Sequence, residues 1–406
     1  MMALKWLLLV LLFSAFSVSA GGLEITALDK EQGALVFKTD DSGTVHHNYR
    51  IEMTTSLVSA TWAVCSMEGG VGAATSVTSP MAAGSPSMFY RVVATSNSAV
   101  FVDGAYMVID LSGGTGAASY AVEYYSGVSA VPGGVTNATY KTTKLVLRKI
   151  PKGTFTMGER STDYPGAEDY GLHKVTLTKD FYIGVFEVTQ RQWELVMGNK
   201  PSYFNNATYY ASRPVEKVSY YDIRENTNNS AIYPSWPASS QVHADSFMGK
   251  LRAKTGLSTF DLPTESQWEY ACRAGTTTAL NTGYNLTNTS RDPRMDVAGR
   301  YSYNGGSEYT RDGNTSVGTA KAGSYLPNAW GLYDMYGNVW ECCLDWYGTY
   351  PGTVSDPLGA ASGAVRVVRG GSWNNAAIHC RSAYRYASNL SDRTSAYGFR
   401  TAMTLP

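Results

Sequence analysis

Few side chains in this 406-residue chain are equipped for soft-metal or nucleophilic chemistry. The cysteines are Cys65, Cys272, Cys342, Cys343 and Cys380, and the histidines are His46, His47, His173, His243 and His379. No cysteine pair has the two-residue spacing of a zinc knuckle, and the histidines are equally dispersed, so local motifs supply no preformed zinc or iron site. The adjacent His46 and His47 read as a solvated turn. Residues 373–397, by contrast, are crowded with groups that bind without reacting: Trp373-Asn374-Asn375, Tyr384, Tyr386, Ser388-Asn389, Thr394-Ser395 and Tyr397. Tyr, Ser and Asn give adaptable contacts, as they do in antibody paratopes.

The rest of the chain must hold these residues in place. Lys+Arg and Asp+Glu both number 33, and no basic block occurs, which excludes the electrostatic footprint of a nucleic-acid binder and of a polybasic membrane segment. Lys5, the apolar residues 6–12 and Val18-Ser19-Ala20 read as a signal peptide over 1–20, so the protein is expected to be exported, to a secreted, cell-surface or periplasmic location. The apolar run is too short to cross ~30 Å of hydrocarbon, and no stable membrane insertion is expected after its removal. Export favours individual disulfides. The remaining length exceeds what one core usually organises. Alternating apolar segments read as a small β-sandwich accessory module over 21–99. Gly-rich stretches around Ser112-Gly113-Gly114 and Pro132-Gly133-Gly134 read as a connector over 100–143, and a second domain is expected over 144–406.

Two helix starts in that domain are legible. Thr189 can cap a helix while Gln192 reaches back, with Val188 stapled onto Trp193 and Gly198 as the stop. Thr264 and Gln267 repeat the device, and a third helix is expected from Asp245 through Phe247 and Leu251 to Gly256. Beyond about residue 276 the chain is rich in Gly, Asn and Tyr with few helical periods. The expectation is an α+β domain dominated by irregular chain, which needs a stabiliser such as bridges or bound ions.

Four collinear segments carry a family resemblance: 150–158, with Pro151-Lys152-Gly153 and Met157-Gly158; 262–273, with Leu262-Pro263-Thr264-Glu265 and Trp268-Glu269-Tyr270; 331–341, closing on Gly337-Asn338-Val339-Trp340-Glu341; and 366–373, with Arg369-Gly370-Gly371-Ser372-Trp373, followed by Gly398-Phe399-Arg400. Together they resemble the formylglycine-generating enzyme, or sulfatase-modifying factor, family. The resemblance implies its compact variant of the C-type-lectin-like fold. It also implies oxidation of a sulfatase cysteine by oxygen at copper(I) held between two thiolates, soft ligands for a soft ion. The first thiolate position falls on Asn375. Ungapped counting puts the second on Cys380. With a shorter loop, Cys380 instead matches a structural cysteine bridged to Cys272, and both copper ligands are absent. The second alignment is preferred, so copper is not expected. The resemblance further implies a structural calcium held by the Asp334 and Glu341 side chains and the carbonyls of Met335, Gly337 and Val339, hard oxygen ligands on one tight loop.

The functional expectation is therefore a binding module with no catalytic residue. Its candidate ligand-binding residues are Trp340, Arg369, Ser372, Trp373, Asn374, Asn375, Arg381 and Tyr384, and its partner is a protein or small molecule. Residues 373–397 also resemble the variable region that diversity-generating retroelements install on this scaffold. The alternative is a formylglycine-generating or related oxidoreductase acting on a cysteine of a sulfatase or another thiol, which Asn375 opposes. Iron-dependent relatives, the ergothioneine sulfoxide synthases, draw their ligands from an additional histidine-bearing helical domain, and no such domain is read here.

Overall fold

A computed structural model describes residues 104–226, 228, 235–305 and 318–405 in full, and residues 1–103 only through the backbone of their strands. The chain divides into two units, 1–103 and 104–406. In the first, two four-stranded antiparallel sheets form, one around Asn48–Thr54 and Phe89–Thr95 and the other around Leu23–Asp29 and Ala34–Thr39. Leu8–Leu9 and Val18–Ala20, inside the expected leader, are edge strands of these two sheets, while the rest of the leader, Cys65 and the His46-His47 pair lie outside the described residues.

The second unit begins earlier than composition suggested. Apolar Tyr106–Asp110 (β1), bounded by Gly104 and Ser112-Gly113, is a strand with Tyr106, Met107, Val108 and Ile109 all buried. It pairs antiparallel with Val122–Tyr125 (β2) and with Lys144–Ile150 (β3), in the register Tyr106↔Arg148 to Asp110↔Lys144. The stretch read as a connector is thus sheet and packed turn. A Cβ on Gly104 would stand 2.8 Å from the Tyr125 nitrogen, and the Tyr120 hydroxyl donates to the Gly114 and Leu195 carbonyls. Glycine there serves close approach, whereas its abundance had suggested a flexible linker.

Gly153–Glu159 (β4) and Tyr170–Leu177 (β5) form a hairpin, and Phe181–Gly184 (β6) pairs with β3. Helix α1 (Gln190–Met197) carries the full Thr189/Gln192 capping box and ends on Gly198 at φ 82°, the left-handed conformation that glycine adopts without a Cβ clash. A single turn, α2 (Tyr220–Ile223), is followed by α3 (Phe247–Thr255), the short strand β7 (Phe260–Asp261) and α4 (Glu265–Arg273), which has its own Thr264/Gln267 box. Trp340–Trp346 (β8) is buried along its whole length. It pairs antiparallel with Val365–Arg369 (β10) and parallel with Tyr397–Gly398 (β12), while Arg385–Asn389 (β11) forms the edge beyond β10. Val354–Ser355 (β9) runs parallel to β5, and Ala402–Thr404 (β13) bridges β6 and β7, closing a six-stranded sheet of order β2-β1-β3-β6-β13-β7.

The expected bridges are not what holds this loop-rich unit. Cys272, Cys342, Cys343 and Cys380 are all free and buried, so the Cys272–Cys380 disulfide is not formed. Cys272 Sγ lies 3.7 Å from Ser382 Oγ, because Ser382 is the residue that reaches the α4 cysteine. Cys380 ends a 3-10 turn over Ala377–Cys380, and its sulfur faces Gly371. Buried guanidinium groups do much of the tying instead. Arg369 donates to the carbonyls of Ser382, Ala383 and Tyr384 while pairing with Glu269. Arg273 joins Glu269 to the Gly158 and Thr278 carbonyls. Arginine, with five donors in a rigid fork, satisfies carbonyls that irregular chain leaves without a ladder partner.

Candidate functional site

Strand alternation builds the site. Trp340 opens β8 and pairs across the parallel ladder with Tyr397. Tyr384 and Tyr386, two residues apart at the start of β11, point to the same face. Their rings approach the Trp340 ring at 6.0 and 5.7 Å, and Tyr386 is 50% exposed. Arg385, between them, turns inward to Glu265 at 2.7 Å. The loop after β10 turns on Gly370 and Gly371, at φ 92° and 77°, and brings Asn374 and Asn375 to the same rim. The Ser372 hydroxyl lies 2.7 Å from Asn374 Oδ1 and 2.5 Å from Asn375 Oδ1, and it donates to one at a time. Holding both amide oxygens toward Ser372 leaves both Nδ2 donors for the opening. Trp340, Asn374, Asn375, His379, Tyr384, Tyr386 and residues 394–397 enclose a concave space of about 410 Å³.

An aromatic ridge extends from this opening. Trp373 donates through Nε1 to the Ser395 carbonyl at 3.0 Å and meets Phe204 edge-on at 5.1 Å; Phe204 in turn meets Tyr203, which is 66% exposed. The ridge is fastened from beneath, where the Phe204 amide donates to Glu216 Oε1 at 2.8 Å and its carbonyl accepts from Gln190 Nε2.

The candidate residues separate into two groups. Trp340, Asn374, Asn375 and Tyr384 line the opening, and Trp373 flanks it. Arg369, Ser372 and Arg381, also named as ligand contacts, are buried and take framework partners. Arg369 clamps carbonyls, Ser372 orients the two asparagines, and Arg381 pairs with Glu159 at 2.8 Å while donating to the Ile378 carbonyl. Tyr386, Thr394-Ser395 and Tyr397 belong to the segment read as suited to contact but were not in the named candidate set, and His379, Ala396 and the Tyr203-Phe204 pair had not been singled out. The period-two spacing of Tyr384 and Tyr386 was the available signal for one of them; residues 203–204 lie too far away in sequence to have given one.

The lining carries no Asp, Glu, Lys or Arg. Burial, with Arg381 nearby, holds the His379 imidazole below its ordinary range, which favours its neutral form. Burial pushes the Tyr397 phenol up to about 12. No described sulfur serves the opening: Cys380 is buried, and burial raises its thiol to about 12 against the lowering pull of the Ser372 and Gly337 amides. A thiolate nucleophile or soft-metal ligand needs the opposite shift.

The loop read as a calcium site lies in a buried charge cluster. Glu341 receives the Arg400 Nε and Nη2 donors at 2.6 Å each and the Trp268 indole N–H at 2.6 Å. Asp334, at φ 55°, accepts from the Gly323 amide through Oδ2, and its Oδ1 is buried without a partner. Glu187 accepts from Asn338 Nδ2 and the Val339 amide. Burial, reinforced by Asp334 and Glu341, drives the Glu187 carboxyl well up; burial also raises that of Asp334, to about 6, against the pull of the Gly323 amide and Arg400. Among the described residues no group of three or more His, Cys, Asp or Glu side chains is arranged as a metal shell.

The chain is 31% identical over 221 residues to the chaperone protein LppX of Paenibacillus barcinonensis, covering 50% of this chain and 72% of that protein. It is 34% identical over 191 residues to a formylglycine-generating enzyme of Thermomonospora curvata, covering 44% of this chain and 57% of the enzyme. Among solved structures, Treponema denticola variable protein 1 aligns over 64% of this chain and 95% of its own at 28% identity, with a TM-score of 0.47. The domain is mixed α+β with the C-type-lectin-like architecture of formylglycine-generating enzymes. Residues 135–405 match the sulfatase-modifying factor enzyme 1-like domain, and the chain belongs to that family.

Proposed function

We propose that this domain is a non-catalytic binding module of an exported protein, and that the opening around Trp340, Tyr384 and Tyr386 is its recognition surface. The observation that carries the reading is the lining itself. It consists of carboxamides, hydroxyls and aromatic rings with no formal charge, and Asn375 stands where the family resemblance puts a copper thiolate. An amide is a poor ligand for copper(I). The ridge from Trp373 to Tyr203 supports a polypeptide partner, since exposed aromatic side chains on a fixed backbone contribute large contact area at small entropic cost. Calcium remains part of the proposal. The Glu187, Asp334 and Glu341 carboxylates face the single buried guanidinium of Arg400, with Lys141 at longer range, and the unpartnered Asp334 oxygen fits a hard divalent cation.

The test is panning of a displayed peptide library on the full-length protein, counter-screened against Tyr386→Ala. Peptides that bind the wild type and lose at least about tenfold on a variant with an unchanged melting temperature support the reading. Binders indifferent to Tyr386, or stoichiometric copper(I) with oxygen-dependent turnover of a cysteine-containing sulfatase peptide, would overturn it in favour of the oxidoreductase.

A further inference from the structure

Where α2 meets β10, donors are buried without acceptors. Tyr220, Arg224 and Arg366 are 2%, 0% and 1% exposed. Arg224 Nε donates to the two Asp261 oxygens at 3.0 and 3.2 Å, but its Nη1 and Nη2 have no hydrogen-bond partner. Arg366 Nη1 donates to the Leu344 carbonyl at 2.7 Å, while Nε and Nη2 have none. The Tyr220 hydroxyl is likewise unpartnered. The three groups are neighbours: the Arg366 guanidinium carbon lies 4.5 Å from the Tyr220 ring centre, and both arginines act electrostatically on the Tyr220 phenol. Buried donors are nearly always paired in folded proteins, with protein, water or an ion.

Charge points the same way. Asp261 is shared between Arg224 and Arg252, and Glu225 approaches Arg366 Nη2 at 3.7 Å, so three guanidinium groups meet two carboxylates. Asp345 acts on Arg366 only at longer range, and burial followed by Glu265 pushes its carboxyl up to about 7, which removes much of its negative charge at neutral pH. Residues 226–242, which follow in the chain, contain no Asp, Glu, Lys or Arg, and so bring no counter-charge. A water molecule here could place its two hydrogens on the Tyr220 hydroxyl and the Glu225 carboxylate, but it would leave the excess of positive charge unmatched. An anion accepts from the same donors and also supplies the missing charge. We propose that a small monovalent anion, chloride in ordinary solution, is bound between Arg224, Arg366 and Tyr220 as part of the folded domain. It completes the donors of two arginines and neutralises a buried excess of one positive charge, the condition under which an unpaired ion is otherwise costly.

The experiment uses the full chain and halide ions as probes. At matched ionic strength, the melting temperature is expected to be about 3 °C or more higher in chloride than in gluconate, and to rise with chloride concentration as mass action requires. Crystals grown in bromide are expected to show an anomalous peak within hydrogen-bonding distance of the free Arg224 and Arg366 nitrogens. Tyr220→Phe keeps the ring beneath Arg366 and removes one donor, so it is expected to weaken the apparent chloride affinity about tenfold. Equal melting temperatures in the two salts, an ordered water without anomalous signal, or a folded Tyr220→Phe protein with unaltered chloride dependence would each overturn the proposal. A bromide peak unaccompanied by any chloride dependence is an adventitious ion only and overturns it equally. If Tyr220→Phe does not fold, the wild-type salt comparison and the bromide peak decide.

Discussion

Glu216→Gln isolates the electrostatic cost of fastening the aromatic ridge. Glu216 is fully buried and receives the Phe204 amide through Oε1, and its Oε2 has no partner. Burial pushes its carboxyl up to about 7, against the backbone bonds from Phe204 and Tyr203 and the nearby Lys217 and Arg213 charges, which pull the other way. An unfolded glutamate titrates near 4.3. Between these values the folded state holds a proton that the unfolded state has released, so the stability of the wild type falls as pH rises through the window from about 4.3 to about 7, and is level outside it with respect to this group. At about 1.4 kcal/mol per unit, the whole window is worth roughly 4 kcal/mol, of which roughly 3 falls between pH 4.5 and pH 8. Glutamine does not titrate. Its amide oxygen can still accept from Phe204, and any cost of placing an amine where Oε2 lay is independent of pH. The stability of Glu216→Gln relative to wild type is therefore expected to improve by roughly 3 kcal/mol between pH 4.5 and pH 8, whatever its absolute offset. Urea denaturation of both proteins across that range, followed by tryptophan fluorescence, measures the difference. A difference that stays flat with pH, or grows in favour of the wild type, refutes the reasoning.

Three further outcomes are expected. Thr189→Ala removes the oxygen that caps α1 and should destabilise the domain by about 1 kcal/mol in urea denaturation. Gly371→Ala places a Cβ 2.5 Å from Cys380 Sγ at a φ of 77° and should cost roughly 1–3 kcal/mol, seen as a lowered melting temperature, whereas Gly352→Ala, with open space around it, should change little. Calcium should raise the melting temperature of the wild type and not that of Asp334→Asn, with calorimetry in chelator as the control; equal responses of the two proteins would remove Asp334 from the proposed cation site.

Features that depend on neighbours in sequence were legible before any coordinates. Thr189 with Gln192, and Thr264 with Gln267, form their capping boxes because the required partners are three residues apart. Asn374, Asn375 and Tyr384 could be named from the composition of their segment, which suits contact, and the turn at Gly370-Gly371 and the alternation of β11 bring them to the opening. The misreadings share a different cause. Residues 104–143 looked like a linker because glycine frequency says nothing about whether a glycine is free or pressed against a strand, as Gly104 is. Arg369 and Arg381 looked like surface contacts because a sequence does not show that their acceptors are carbonyls and carboxylates brought from elsewhere in the chain, such as Glu269 and Glu159. The Cys272–Cys380 pairing rested on resemblance, and the geometry gives Ser382 to Cys272 instead.

On the proposed binding role, the Arg369 clamp separates specificity from stability. Its guanidinium grips the carbonyls of residues 382–384, and Arg385 anchors the same chain inward to Glu265, so the path of β11 is set by backbone atoms and inward-facing charge. The side chains of Tyr384 and Tyr386 take no part in that grip. Selection can therefore explore the outward positions as a nearly free alphabet, with each new letter displayed at the same height and angle. A library randomised at 374, 375, 384 and 386 should yield mostly folded proteins with different partners, while one that includes 369 or 385 should yield mostly unfolded ones.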